Sequence, residues 1–329
     1  MSTLAPTLQT FFTDRLVRQR QASSHTVAAY RDTWRLLVRF SAERLSTEPS
    51  KLDMADLNAP LISGFLDHCE HDRGNSIPTR NARLIAIRSL FRYAALRHPE
   101  HAAVIQRVLA IPPKRSERRL VTFLTEPEVG ALLAAPDQTT WIGRRDHTLL
   151  ALAVQTGLRA SELIGVRTAD VHLGVGPHIF CVGKERKQRI TPLTPPVVAG
   201  LRAWLCERLG QARDYVFTTC TGRMLSRDAL ERRLALYVER AIRACPSLHE
   251  RRITMHSLRH TAAMRLLHSG VDISVIALWL GHEQEETTHV YLHADLALKE
   301  KALARTTPLN VTPGRYQPPD ALLAFLESL

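Results

Sequence analysis

A mainly α chain with one small antiparallel β-sheet, divided into two domains, is the fold this sequence predicts. Three observations lead there. Apolar residues recur at three- and four-residue spacing along most of the chain, the period of a helix buried on one face. That period gives way to strand-like runs around residues 178–193. A proline-containing basic stretch, residues 106–123, separates the two helical regions. With 329 residues, 45% of them apolar, the chain has the material for roughly two ordinary cores.

Residues 1–105 read as a helical domain. Ser24-His25-Thr26 offers a cap, and Val27, Tyr30, Trp34, Leu37 and Val38 follow on one helical face. Asp56 to His71 carries Leu57, Leu61, Ile62, Phe65 and Leu66 at the same spacing, and Gly74-Asn75 interrupts it. Thr79 to Leu96 places Leu84, Ile87, Leu90, Phe91 and Ala94 on one side and Arg80, Arg83, Arg88, Arg92 and Arg97 elsewhere. Such arginines form either a solvated face or a stripe that meets phosphates. The scarcity of nearby acids favours the stripe.

In the linker Pro112-Pro113 ends the preceding helix. Residues 106–123 hold five basic side chains and one acid, the highest positive charge density of any region. The whole chain has 44 Lys and Arg against 32 Asp and Glu, a formal net charge of +12. That surplus predicts an anionic partner, nucleic acid or an acidic membrane surface, and a basic strap between domains suits a polyanion. No apolar run approaches the ~18 residues that span a bilayer. No basic start followed by an apolar run marks the first 25 residues, so no secretory signal is read. Cys69, Cys181, Cys206, Cys220 and Cys245 are odd in number, widely spaced and free of any C-x-x-C pair. They argue against a disulfide scaffold and for free thiols in a reducing cytoplasm.

Residues 124–305 form the second domain, and 306–329 a tail. Thr125-Glu126-Pro127-Glu128 is a capping box with proline in the first turn. A helix over Asp146–Thr156 closes at Gly157, and a short one spans Ala160–Val166. His178–Val182 and Arg189–Leu193 then read as paired strands around a Lys/Arg-rich tip. Helices resume at Pro195–Leu209, Ser226–Ala244, His256–His268 and Ile273–Leu280, the last two closed by Gly270 and Gly281.

Three constellations carry chemistry. On a helix, His256, Arg259 and His260 share a face. Two histidines four apart suggest zinc, but Ser257 stands where the H-E-x-x-H motif needs glutamate, and an arginine between ligands repels a cation. No metal or other cofactor is expected. A guanidinium beside an imidazole suits a phosphate, because Arg bonds two phosphate oxygens at once. Arg159 sits at the Gly157 break, where the amides of a following helix make a natural anion site, and Glu162 is placed to orient the guanidinium or cap the helix. Leu280-Gly281-His282 and Tyr291 complete the set.

Arg159, the lysine-tipped hairpin, His256-x-x-Arg259, His282 and Tyr291 stand in the order and spacing of the tyrosine recombinases, the family of phage integrases and Xer recombinases. The resemblance runs from about Leu8 to His293. Thr26-x-x-x-Tyr30 and Thr79 through Tyr93 are similar to that family's SAM-like core-binding domain. The resemblance implies an N-terminal helical DNA-binding domain and an α+β catalytic domain that clamp DNA. It implies a tyrosine, here Tyr291, that attacks a DNA phosphodiester, forms a 3′-phosphotyrosyl bond and releases a 5′-hydroxyl, conserving the bond energy for rejoining. Arg159 and Arg259 match the arginines that stabilise charge on the non-bridging oxygens. His282 matches a further phosphate donor, His256 a residue assisting proton transfer from the tyrosine, and Lys184 the lysine that protonates the leaving oxygen. Implied partners are double-stranded DNA and further copies of the chain, a dimer per site and a tetrameric synapse, with accessory recombination proteins possible and no membrane. The expected role is integration or transposition of a mobile element. The alternatives are Xer-like dimer resolution, a catalytically silent DNA-binding regulator, and a topoisomerase.

Three features depart from the family pattern. Glu185 stands where glycine is common, which leaves Lys187 a rival to Lys184. Glu283, Glu285 and Glu286 lie between His282 and Tyr291, where carboxylates repel DNA unless paired, and are expected to face a neighbouring protomer. Ala321–Leu326 reads as a short apolar helix that docks on the next protomer or on its own domain.

Overall fold

A computed structural model describes residues 4–115, 121–183, 188–208 and 214–281. The chain divides into two compact units, Met1–Arg118 and Arg119–Leu329.

In the first unit α1 (Leu4–Thr10) runs on into a π-helical stretch, Phe11–Gln19. There follow α2 (Ser24–Leu45), α3 (Ala59–His71), α4 (Ile77–Ala94) and α5 (Ala102–Ala110). The caps decide where these begin. Ser23, one residue before the expected cap, accepts the Thr26 amide at 3.2 Å. Asn58 accepts the Leu61 amide at 3.0 Å, and with Pro60 in the first turn it starts α3 three residues later than the apolar pattern alone. Ser76 caps α4, again with proline in the first turn. Trp34, Leu37, Phe65, Leu66, Ile87, Leu90 and Phe91 close the core, with Trp34 stacked 6.5 Å from Phe91.

The arginine stripe of α4 is broken. Arg80 is 5% exposed and lies 3.7 Å from the Glu70 carboxylate. Arg83 donates to the Asn75 side-chain oxygen at 3.0 Å, and Arg88 to the Ile111 carbonyl. Those three guanidiniums hold the unit together, and only Arg92 and Arg97 remain exposed. Periodicity could not show this, because their partners come from the α3–α4 turn, α3 and the chain beyond α5. The start of the basic stretch is likewise tied down. Helix α5 extends to Ala110, and Lys114 exchanges backbone hydrogen bonds with the Asn81 side chain while its ammonium pairs with Glu70 at 2.8 Å.

The second unit opens with α6 (Glu126–Ala134), whose capping box forms as read: the Thr125 amide donates to Glu128 at 2.8 Å. Glu128 also binds Ser247 and Arg251, so it anchors the cap and the loop before the later helices together. Helix α7 (Trp141–Thr156) starts five residues before the expected Asp146, because Thr140 accepts the Gly143 amide at 3.0 Å. It ends at Gly157, φ +64°, and α8 (Ala160–Gly165) follows at once. The sheet has three antiparallel strands in order, β1 (Val171–His172), β2 (His178–Val182) and β3 (Gln188–Pro192). β2 and β3 pair with Phe180 opposite Ile190 and Cys181 opposite Arg189. The first strand has two residues, too few to show a period.

Helices α9 (Pro195–Arg208), α10 (Arg227–Ile242), α11 (Met255–His268) and α12 (Ile273–Leu280) complete the described part. Buried Asp146 on α7 accepts from Arg145, Arg233 and Tyr237, which locks α10 onto α7. Burial, and then the Asp146 carboxylate, push the Tyr237 phenol up to about 12. Ala263, Met264 and Leu267 of α11 pack on Ile276 and Leu280 of α12, so these two helices share one small core.

Candidate active site

Two helix ends build the site. Helices α7 and α12 both stop on a glycine in the left-handed conformation, Gly157 and Gly281 (φ +64° and +66°). A Cβ on Gly157 would lie 2.7 Å from Leu280 and 3.0 Å from Ala262, so only glycine lets the two ends approach. Trp279 seals the junction by donating to the Thr156 carbonyl at 3.1 Å.

Arginines bridge these ends. Arg259, 3% exposed on α11, donates to the carbonyls of Gly157 at 2.7 Å and Leu280 at 2.6 Å. Arg159, at the N-cap of α8, donates to the Gly281 carbonyl at 3.0 Å and to Glu162 at 2.8 Å. Carbonyls at helix C-termini carry partial negative charge, so guanidiniums are held there by charge as well as geometry. Glu162, 5% exposed at its side chain, accepts two further bonds from Arg189 of β3, at 2.6 and 3.1 Å. Burial raises the Glu162 carboxyl, but the Arg189 and Arg159 hydrogen bonds outweigh it and hold it below the usual carboxylate range.

His256 is carried in the first turn of α11. Thr254 and Ser257 cap that turn reciprocally, at 3.3 and 3.2 Å. The His256 ring lies 4.1 Å from that of His260, edge to face. Partial desolvation, then the charges of Arg259, Arg159 and Arg227, pull the His256 pKa below its ordinary 6.5. The imidazole is therefore neutral near pH 7 and able to accept a proton. The depressed value also sets a pH dependence. The unfolded chain takes up this proton more readily, so the stability due to neutral His256 is present above 6.5 and is lost as pH falls toward the folded-state midpoint. An imidazole NMR titration should place that midpoint below 6.5 and find it raised in Arg227→Gln.

These groups open onto one pocket of about 600 Å³. Arg159, His256 and Arg259 line it together with Arg227, Arg252 and Glu231. Four guanidiniums against one carboxylate suit a phosphodiester oxygen pair. Thus three of the six residues expected at the site, Arg159, His256 and Arg259, meet. Lys184, its rival Lys187, His282, Tyr291, the three glutamates before Tyr291 and the tail segment lie outside the described residues. Sequence reading missed Arg227, which has no motif around it, and Arg252, which stands four residues before His256 but outside the spacing of its motif. It also missed Arg189, which it saw only as a strand residue. In the first unit a separate pocket of about 320 Å³ is lined by Arg15, Arg20, Arg92 and Arg97, with no carboxylate among its lining residues.

Residues 122–297 match the profile of the phage integrase family, and residues 10–98 that of the phage integrase N-terminal SAM-like domain. This chain belongs to the phage integrase family of tyrosine recombinases. Within the family it is 52% identical over 328 residues to a Sinorhizobium fredii protein named integrase/recombinase y4rC, covering 100% of this chain and 99% of the relative. It is 32% identical over 284 residues to tyrosine recombinase XerC of Xanthomonas campestris pv. campestris, covering 86% and 83%. Its fold is that of XerH site-specific recombinase in a post-cleavage complex with palindromic difH substrate (TM-score 0.69, 24% identity, 87% of this chain and 81% of that one). The Tn1549 transposon integrase in complex with a circular intermediate DNA is also similar in fold (TM-score 0.67, 15% identity, 91% and 99%). No described helix is long and apolar enough to cross a membrane.

Proposed function

We propose that this recombinase cuts and rejoins duplex DNA through a 3′-phosphotyrosyl intermediate. The observation that carries this reading is the cationic pocket in which Arg159, His256 and Arg259 converge. In the proposed step the Tyr291 oxygen attacks phosphorus and the P–O5′ bond breaks. Its phenolic proton passes toward neutral His256, and Lys184 supplies a proton to the departing 5′-oxygen. Arg159 and Arg259, with His282, stabilise the charge that grows on the non-bridging oxygens. Rejoining is the reverse, with the 5′-hydroxyl of a partner strand as nucleophile and the tyrosine as leaving group. No metal enters this scheme, since fixed guanidiniums supply the positive charge.

DNA is the proposed partner of both units. The arginine pocket of the first unit suits a backbone phosphate, and the +12 net charge suits a long polyanion. Assembly would be a dimer per site and a tetramer at synapsis, in the cytoplasm, with accessory proteins where a given site requires them. The 52% identity to a protein named integrase/recombinase favours mobility of a genetic element. The 32% identity to XerC favours dimer resolution as the second reading. Excision and reinsertion of the flanking segment in cells would support the first; resolution of plasmid dimers carrying the site would support the second.

The test is to trap the intermediate. DNA from the chain's own genomic flank, nicked within the spacer as a suicide substrate, is incubated with the protein in EDTA and resolved on a denaturing gel. A slow, protease-sensitive protein–DNA band is expected. Tight, salt-sensitive binding without that band would overturn the proposal in favour of a DNA-binding regulator.

A further inference from the structure

We infer that Arg189 is a positioning residue for cleavage: it holds Glu162 so that Glu162 fixes the Arg159 guanidinium against the Gly281 turn. The inference rests on the proposed role of Arg159.

The contacts form a closed ring. Arg189 donates both terminal nitrogens to Glu162, Nη1 to Oε1 at 3.1 Å and Nη2 to Oε2 at 2.6 Å. Glu162 Oε1 also accepts Arg159 Nη1 at 2.8 Å, and Oε2 accepts the Arg159 backbone amide at 2.8 Å. Arg159 Nη2 then reaches the Gly281 carbonyl at 3.0 Å. Gly281 closes the ring sterically, because a Cβ there would lie 2.9 Å from Arg189 Nη1 and 3.3 Å from its Cδ. Arg189 is thus packed under the turn whose carbonyl orients Arg159.

The side chain that makes these contacts is not at the pocket. Arg189 is 10% exposed at its side chain and is not among the pocket's lining residues, whereas Arg159 is 33% exposed and is. Its influence on a bound phosphate therefore passes through Glu162. A buried carboxylate between two guanidiniums divides its attraction between them. Without Arg189, both Glu162 oxygens would compete for Arg159 alone and draw it away from the pocket and from Gly281. A guanidinium moved by about 1 Å loses on the order of a hundredfold in rate without any change in the residues that touch substrate. The arrangement also gives β3 a task besides the sheet: the strand delivers this arginine to α8.

The experiment measures single-turnover adduct formation on the nicked substrate, DNA affinity by mobility shift, and thermal stability, for the full chain and its variants. Arg189→Met should slow adduct formation by about tenfold to a hundredfold while DNA affinity stays within twofold of the parent. Arg189→Lys, which keeps the charge, should recover a large part of the rate. In an Arg159→Lys background the Arg189→Met change should lose most of its effect, because its route of action is already altered. If Arg189→Met does not fold, Arg189→Gln, which keeps a donor but no charge, takes its place and must show the same loss. A rate within twofold of the parent, an equal loss in affinity, an undiminished effect in the Arg159→Lys background, or no recovery with lysine would each overturn the inference. An adduct absent from the parent protein would overturn the proposed chemistry and this inference together; a parent adduct with an indifferent Arg189 variant would overturn only the inference.

Discussion

Tyr291→Phe is expected to bind its DNA site as tightly as the parent and to form no covalent adduct at all. The change deletes one oxygen and keeps the ring. In the proposed reading, affinity for DNA would come from many cationic contacts, among them the arginine pockets of both units, and one hydroxyl would add little to it. The reaction, by contrast, has no substitute for that oxygen, since the proposed intermediate is a bond between it and phosphorus. Suicide-substrate trapping and mobility shift, run side by side, check the two halves. A Tyr291→Phe adduct of the same mobility would mean that another side chain is the nucleophile.

Arg259→Ala should slow cleavage by about a hundredfold or more and should also weaken the fold of the second unit. The first effect follows from its place. Arg259 lines the pocket with Arg159 and His256, and its fork is rigid because two backbone carbonyls hold it, those of Gly157 and Leu280. A donor fixed before the reaction need not be reorganised while charge develops. The second effect follows from burial. Removing the guanidinium leaves both carbonyls short of a partner, at about 1–3 kcal/mol for each buried group. Arg259→Lys separates the two effects. It keeps the charge but not the planar fork, so it should recover stability better than rate. Single-turnover cleavage and chemical denaturation measure them. Equal recovery of both would show that charge alone matters at this position.

Much of this site is written in the order of the amino acids. Arg159, His256 and Arg259 are legible there because local rules place them: a glycine break followed by a helix, and a four-residue helical repeat. The capping box at Thr125 and the strand pair within 178–193 are local in the same sense: the box forms as read, and the two strands pair, the second beginning one residue earlier at Gln188. The arginines of α4 are the contrary case. Their spacing describes a stripe, yet Arg80, Arg83 and Arg88 turn to Glu70, Asn75 and Ile111. Spacing says which residues share a face; it does not say what that face meets. Helix starts shifted for a related reason. Asn58 and Thr140 act through a side chain that accepts an amide three residues on, and the apolar pattern does not register that bond.

By itself the sequence determined the fold class, most of the helices and the family, and it named the residues proposed for the reaction, since each is written in short-range pattern or in a spaced motif. Only the tertiary structure decided that Arg189 stands behind Glu162, 27 positions away, and that Arg259 joins the ends of two helices, at Gly157 and Leu280. Arg227 and Arg252 reach the pocket in the same way, through folding alone. A buried guanidinium is stable only where distant carbonyls and carboxylates meet it, and that meeting is a property of packing that no local pattern encodes.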